Sequence, residues 1–234
     1  MRKIFVIAYL IAATTLLHAQ QLDGTYKQGT DSLSFSAGNV KFNMGGFGGL
    51  EVNKMGEGTF EWMDEFLLIH TSDYSGEKTT VQPLSGSRKD TLILRITDVE
   101  NFSLQGALAE WLNDSGKALS GNASDENGKV FYKKNPKVRT IKISMLGYAA
   151  TTFPYDPEKD YLIRLAKGNV IERQTVVFRV KKINEETISL LLMTTDFNPG
   201  KDTQKELRKL GKKLENQHVL DKRLKKVYVP LYVR

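Results

Sequence analysis

The sequence predicts a mainly β protein: a small β-meander or barrel-like part, a β-sandwich, and a basic α-helix near the C-terminus. Three observations predict it. Apolar and polar residues alternate in short segments such as Asp31-Ser-Leu-Ser-Phe35 and Val40-Lys-Phe-Asn-Met44, and a period of two marks half-buried strands. Clusters of Gly, Asn, Asp and Ser separate these segments at roughly 8–12-residue spacing, the rhythm of small all-β domains. A helical pattern emerges only after Asn198-Pro-Gly200, where Leu207, Leu210 and Leu214 share one face.

The elements follow in order. Arg2 and Lys3 precede the mostly apolar Ile4–Leu17, and Ala19 offers a small residue for cleavage. This is the layout of a signal peptide over residues 1–20, too short for a spanning helix of roughly 20 apolar residues. Gly24-Thr-Tyr-Lys27, Asp31–Phe35 and Val40–Met44 read as strands, with a hairpin signal at Gly38-Asn39. Gly45–Gly49 reads as a flexible connection. Gly58–Met63 and Glu65–His70 form a second hairpin that turns near Asp64. Ser75–Lys89 reads as a loop and domain boundary, with a short strand at Thr79–Val81.

From Asp90 the strands are Thr91–Thr97, Leu104–Leu112, Lys129–Lys133, Val138–Ser144 and Tyr161–Leu165, with turns at Asn113–Gly116 and Ser124–Gly128. Thr175–Val180 and Thr187–Met193 flank an Asn184-Glu-Glu186 turn and read as closing strands of the meander. Thr203 with Glu206 has the spacing of a capping box. Leu220, Leu224 and Val227 read as a continuation of the helix after a break, and Tyr228–Val233 as extended because Pro230 lacks a ladder donor. The expected organisation is a meander over 21–84 plus 169–196, a sandwich over 90–168, and a basic helical tail over 197–234 ending in an extended segment.

Composition narrows the chemistry. The chain has 234 residues, 40% of them hydrophobic, which suits one or two packed domains. It has no cysteine, which excludes disulfides, zinc ribbons, iron–sulfur ligation and thiol nucleophiles together. The net charge of +7 is uneven: residues 201–234 hold 11 Lys+Arg against 4 Asp+Glu. A basic patch attracts acidic surfaces, lipid headgroups or nucleic acid. For an exported chain we expect no nucleic acid partner. No later stretch is long and apolar enough to span a bilayer as a helix.

Two resemblances add to this. Gly106-Ala107, the polar turn Asn113–Gly116, Ser124-Asp-Glu-Asn-Gly128 ahead of an aromatic strand, Val138–Ile143 and Leu146-Gly-Tyr148 occur in an order that resembles the carboxypeptidase regulatory-like, or transthyretin-like, β-sandwich. That resemblance implies a non-catalytic folded spacer or docking surface. Gly24-Thr-Tyr26, Gly56-Glu-Gly-Thr-Phe60 and Phe178-Arg-Val180 with Thr187-Ile-Ser-Leu190 resemble pieces of the lipocalin-like proteins exported by bacteria of the Bacteroidetes type, without the lipocalin tryptophan. Together they imply a sandwich inserted into a meander, whose strands suffice for a small closed barrel.

Site expectations follow from these readings. Phe60 and Trp62 share parity on one strand, and with Phe47 in the glycine-rich connection they are the candidates for a ligand-facing surface. Arg208, Lys209, Lys212 and Lys213 are the candidates for contact with an anionic partner. His70-Thr-Ser-Asp73 has a metal-site spacing, but a catalytic zinc needs three protein ligands, so a strand-end histidine is expected. Ser124–Gly128 fails the calcium-loop pattern and is expected to be a hairpin turn. No catalytic residue, metal or cofactor is expected. The expected function is a non-catalytic binding or scaffold module exported to the bacterial envelope, in the periplasm or at the cell surface, with a protein or glycan partner. The runner-up is a carrier of a small apolar ligand.

Overall fold

The structure is a computed structural model and describes residues 22–45, 52–86, 88–200 and 202–228. It is mainly β, with one closed eight-stranded antiparallel barrel, two further sheets and a C-terminal helix. The signal-peptide segment, Phe47 with most of the glycine-rich connection, and nearly all of Tyr228–Val233 lie outside the described residues.

The barrel uses β1 (Gly24–Gln28), β2 (Asp31–Ser36), β3 (Asn39–Met44), β4 (Asn53–Met63), β5 (Phe66–Thr71), β15 (Thr175–Asn184), β16 (Thr187–Phe197) and β17 (Lys222–Val227). Its order is β4-β3-β2-β1-β17-β16-β15-β5, and pairing of β5 with β4 closes the ring. The short β14 (Gly168–Val170) pairs in parallel with the start of β4. The period-two pattern supplies the inward face. Tyr26 lies opposite Leu33 on neighbouring strands, and both are buried with Phe35, Val40, Phe42 and Met44.

β5, β15 and β16 carry the apolar stretches Phe66–Ile69, Val176–Phe178 and Leu190–Met193 because both of their faces are covered there. Leu67, Ile69, Val176 and Phe178 share one parity, and Phe66, Leu68, Val177, Leu191 and Met193 have the other. The second set packs against Leu207 of α1 (Thr203–Asn216), with Leu210 and Leu214 alongside. The expected stripe of leucines is therefore what seats the helix.

The sandwich has two four-stranded sheets. One has the order β10 (Lys129–Lys133), β7 (Thr91–Asp98), β13 (Lys159–Leu165), β6 (Thr80–Ser85). The other is β12 (Thr151–Pro154), β11 (Thr140–Ser144), β8 (Leu108–Leu112), β9 (Ala118–Ala123). Leu92, Leu94, Ile96, Ala109, Trp111, Ile141, Ile143 and Ile163 form its core. Trp111 is fully buried and its ring stacks on Tyr132 at 3.6 Å between centroids.

By contacts the chain forms two compact units. One comprises the residues up to Lys41, Gly58–His70 and Gln174 onward; the other comprises Phe42–Glu57 and Thr71–Arg173.

Several expectations are corrected. The first hairpin turns at Ala37-Gly38, both at positive φ (47° and 80°), and Asn39 already belongs to β3. The second does turn at Asp64, whose φ is 55°. Ser75–Lys89 is not only a loop: β6 runs to Ser85 and pairs with β13 through Pro83, which is tolerated because β6 is an edge. Leu104–Ala107 is not strand, and β9, β12 and β14 lack the apolar alternation that would mark them. Ser124–Gly128 is no hairpin between paired strands, since β9 pairs with β8 and β10 with β7; it carries the chain from one sheet to the other. The capping box is absent: Asp202 is the N-cap with no side-chain cap bond, and the Thr203 hydroxyl donates to Gly200 O at 2.8 Å. Leu224 and Val227 do not continue the helix. They lie on β17, a barrel strand between β1 and β16, so the tail expected to be helical is partly barrel wall.

Candidate functional site

The aromatic candidates face the barrel parity that is buried. Phe60 meets Phe35 edge-on at 5.2 Å between centroids, and both Phe60 and Trp62 are half-buried. On the same strand, a Cβ on Gly56 would lie 2.7 Å from the Phe42 ring, so the missing side chain leaves room for that phenyl group. Leu33, Phe42, Leu67, Ile69, Val176, Phe178, Val180, Leu190 and Leu224 have no exposed surface at all. No water-sized space lies against any of these side chains. Eight strands give an interior just wide enough to be filled by side chains or to hold one small ligand, and at these positions it is filled.

The basic candidates divide. Arg208 and Lys212, one turn apart on α1, line a groove of about 450 Å³ with Asp64, Glu65, Phe66, Arg179, Gly211 and Glu215. Lys209 and Lys213 are exposed and are not among its lining residues. Arg208 Nη2 donates to Asp64 Oδ2 at 3.1 Å and Gln204 Nε2 to the same oxygen at 2.8 Å. Hydrogen bonding from Gln204, then from Arg208, holds the Asp64 carboxyl below its ordinary range. Arg179 is buried and donates to Glu215 at 2.6 Å and Asp221 at 3.3 Å, while its Nε has no partner.

The lining groups are thus three cations and three carboxylates, and the groove is not the electropositive patch that the count of basic residues predicts. Further tail cations also meet acids. Lys222 bonds Asp31 at 2.8 Å and Lys226 bonds Asp23 at 2.6 Å. Hydrogen bonding between the last two lowers the Asp23 carboxyl and raises the Lys226 ammonium. Composition shows the sum of charges; only pairing shows how much remains unopposed.

The metal-like spacing dissolves in the structure. His70 lies beside Thr175 Oγ1 (3.2 Å) and Glu61 Oε1 (3.3 Å), whereas Asp73 receives two hydrogen bonds from Arg173. Among the described residues no group of three or more His, Asp or Glu is placed to hold a metal ion.

Two features escaped sequence reasoning. The first is the edge strand β9. All six of its residues, Ala118-Leu-Ser-Gly-Asn-Ala123, are exposed, and among the described residues it pairs only with β8. The other sandwich edges carry Pro83 on β6, Pro154 on β12, and Lys129 and Lys133 on β10, the residues that discourage strand addition. β9 has neither proline nor charge; it carries exposed Leu119 and lies beside exposed Leu108 of β8.

The second is a pocket of about 280 Å³ lined by Asn43, Asn53, Met55, Tyr74, Glu77, Ala166, Lys167 and Gly168. Three distant segments build it. Gly168 leaves room for the Met55 side chain, whose end would meet a Cβ there. The segment bearing Tyr74 and Glu77 is pinned from both sides. Ser72 and Ser75 donate backbone N–H groups to Glu57 O (2.8 Å) and Glu57 Oε1 (2.6 Å). Glu172 Oε1 accepts from Tyr74 N and Lys78 Nζ, both at 2.7 Å. The Lys78 hydrogen bond, then that from Tyr74 N, keeps the Glu172 carboxyl below its ordinary range.

Compared with known proteins, the chain matches no family model, no curated protein and no solved structure.

Proposed function

We propose that this chain is a non-catalytic binding or scaffold module, exported to the cell envelope, whose sandwich docks a protein partner by accepting a β-strand at β9. One observation carries the docking surface: β9 is uncharged, proline-free and exposed along its length, while the other three sandwich edges carry proline or lysine. An open edge offers a row of unpaired N–H and C=O groups, which is the basis of strand-addition recognition. Export rests on the N-terminal layout of basic residues, apolar run and small residue.

The second reading is a carrier of a small apolar ligand. The eight-stranded closure favours it, and the complete burial of inward side chains such as Phe42, Leu67 and Phe178 opposes it.

Native mass spectrometry of the protein recovered gently from its own cells separates the two. A stoichiometric protein partner that is lost when Leu119→Lys places a charge on the edge is the expected result. A partner unaffected by Leu119→Lys would remove β9 from the account. A small-mass adduct released on denaturation, with no protein partner, would replace the module reading with the carrier.

A further inference from the structure

We propose that the outer face of the β10-β7-β13-β6 sheet binds an acidic polysaccharide, with Arg95 and Lys129 at the centre of the contact. This face is separate from the edge at β9 and does not depend on docking there.

Strand register sets the face. Val130, Leu92, Leu94, Ile96 and Ile163 turn into the sandwich core. Side chains alternate along a strand, so Lys129 and Lys133 of β10, Arg95 of β7 and Arg164 of β13 share the opposite face. Their burial agrees: Arg95 and Lys133 are exposed, and Lys129 and Arg164 are half-buried. Lys129 is paired directly with Arg95, which brings their Cβ atoms to about 5 Å. Arg95 in turn lies beside Leu162, and Arg164 is the next residue on that face of β13. Arg88 adds a guanidinium 5.3 Å from the centre of the Phe131 ring.

These cations are unopposed. Among the described residues none of Arg88, Arg95, Lys129, Lys133 and Arg164 forms an ion pair. Arg164 is held by neutral groups: its Nε donates to Asn101 Oδ1 at 2.8 Å and its Nη1 to Gln82 Oε1 at 3.5 Å. Asp160 has the same parity, but it is buried and accepts from Ile93 N at 2.8 Å. The second sheet of the sandwich shows that the fold does not require such an arrangement. There the register places Lys142 opposite Glu110, and the two form an ion pair at 2.9 Å. Like charges directly opposite each other destabilise a sheet. The Lys129–Arg95 pair is therefore a local disadvantage to folding that an anionic ligand removes.

The face also selects the kind of anion. Its cations are spread over three strands and the segment before β7, which suits a chain of repeated charges better than a single ion. Guanidinium groups match carboxylates through two parallel hydrogen bonds. Ile93 and Leu162 lie half-buried among the cations and give an apolar floor for the C–H faces of sugar rings. A single-stranded nucleic acid would need open aromatic rings on which successive bases stack. Phe131 is the aromatic residue of this face, and Arg88 already lies over its ring. A polymer of uronic acids has the repeated carboxylates without the bases.

Isothermal titration calorimetry of the full-length protein with polygalacturonate tests this. The fully methyl-esterified polymer, the same chain without its charge, is the control. Saturable binding that falls steeply as salt is added, and that is absent with the ester, is the expected result. Arg95→Gln should weaken it about fivefold, the scale of one exposed charge pair. Lys129→Glu should weaken it further and also raise the thermal midpoint, because it rebuilds opposite Arg95 the kind of pair that Glu110 and Lys142 make. Lys27→Gln combined with Lys205→Gln removes two exposed charges from β1 and α1 and should leave binding unchanged. No saturable binding at low salt would overturn the proposal. So would an equal loss in the Lys27 and Lys205 variant, which would reduce the effect to net charge. Tighter binding of poly(U) RNA or of phosphatidylglycerol vesicles, with the same dependence on Arg95, would overturn the polysaccharide and give the face to that partner.

Discussion

Gly116 and Gly128 adopt nearly the same backbone conformation, with φ of 74° and 70°, in two polar turns. Their surroundings differ. A Cβ at Gly116 meets nothing within 4 Å, whereas one at Gly128 would collide with the Ile96 carbonyl oxygen. That close approach is built into the sandwich, since Ile96 N donates to Gly128 O at 2.7 Å and Asp125 Oδ1 accepts from Lys129 N at the same distance. Gly116→Ala should therefore cost about 1 kcal/mol, the ordinary penalty for a left-handed L-residue. Gly128→Ala should cost about 3 kcal/mol or more, because it adds a backbone collision to the same strain. Denaturant melts of the two variants give the comparison, and equal costs would mean that the loop simply moves aside.

At the scale of the element, α1 illustrates a local preference overruled by packing. Gly211 weakens an isolated helix by about 1 kcal/mol relative to alanine, and the capping box that would have helped is not formed. The helix is held by Leu207, Leu210 and Leu214 against β5, β15 and β16, and by Glu215 on buried Arg179. Gly211 lies at that contact, but a Cβ there would have Met193 and Phe66 at 3.8 Å, ordinary van der Waals distance. Gly211→Ala should thus stabilise the protein by about 1 kcal/mol, gaining propensity and contact together. A rise in thermal midpoint checks this; a fall would show that the seam between helix and sheet is tighter than its geometry.

At the scale of the whole molecule, closure depends on residues far apart in sequence. β17 lies between β1 and β16, pairing Lys225 with Lys27 on one side and with Thr187 on the other. A basic tail read from composition alone would be dispensable. A wall strand is not, since its removal leaves two long unpaired edges. A chain ending at Asn216 should lose several kcal/mol, which lowers the thermal midpoint by about 10 °C or more if folding survives at all. Circular dichroism melts decide the matter: an unchanged, cooperative transition would return the tail to the status of an appendage.

The fold class was legible because strands with one covered face write period two into the sequence, as Asp31–Phe35 and Val40–Met44 do, and because strands covered on both faces become apolar runs, as Phe66–Ile69 does. β9 and β12 were not legible. β9 is exposed throughout and β12 has only Phe153 buried, so no apolar period marks either. β17 was misread because Leu224 is its single buried residue, and one buried position has no period. The candidate sites show the same limit. Phe60 and Trp62 were placed on one face by parity, whereas Arg208 and Lys212 were named only together with Lys209 and Lys213 as basic candidates. The partners that decide their chemistry, Phe35 and Asp64, were not visible.

By itself the sequence determined the mainly β class, most of the long apolar strands, the helix and its seated face, and a chain without thiol chemistry. These follow from local periodicity and composition, which need no knowledge of neighbours. Only the tertiary structure decided which strands close the barrel, which edge stays open, which cations are already paired, and that Glu77 and Lys167 share a pocket with Asn43. Each of those is a relation between residues distant in the chain, fixed by how the two compact units pack internally. No window along the sequence contains both partners.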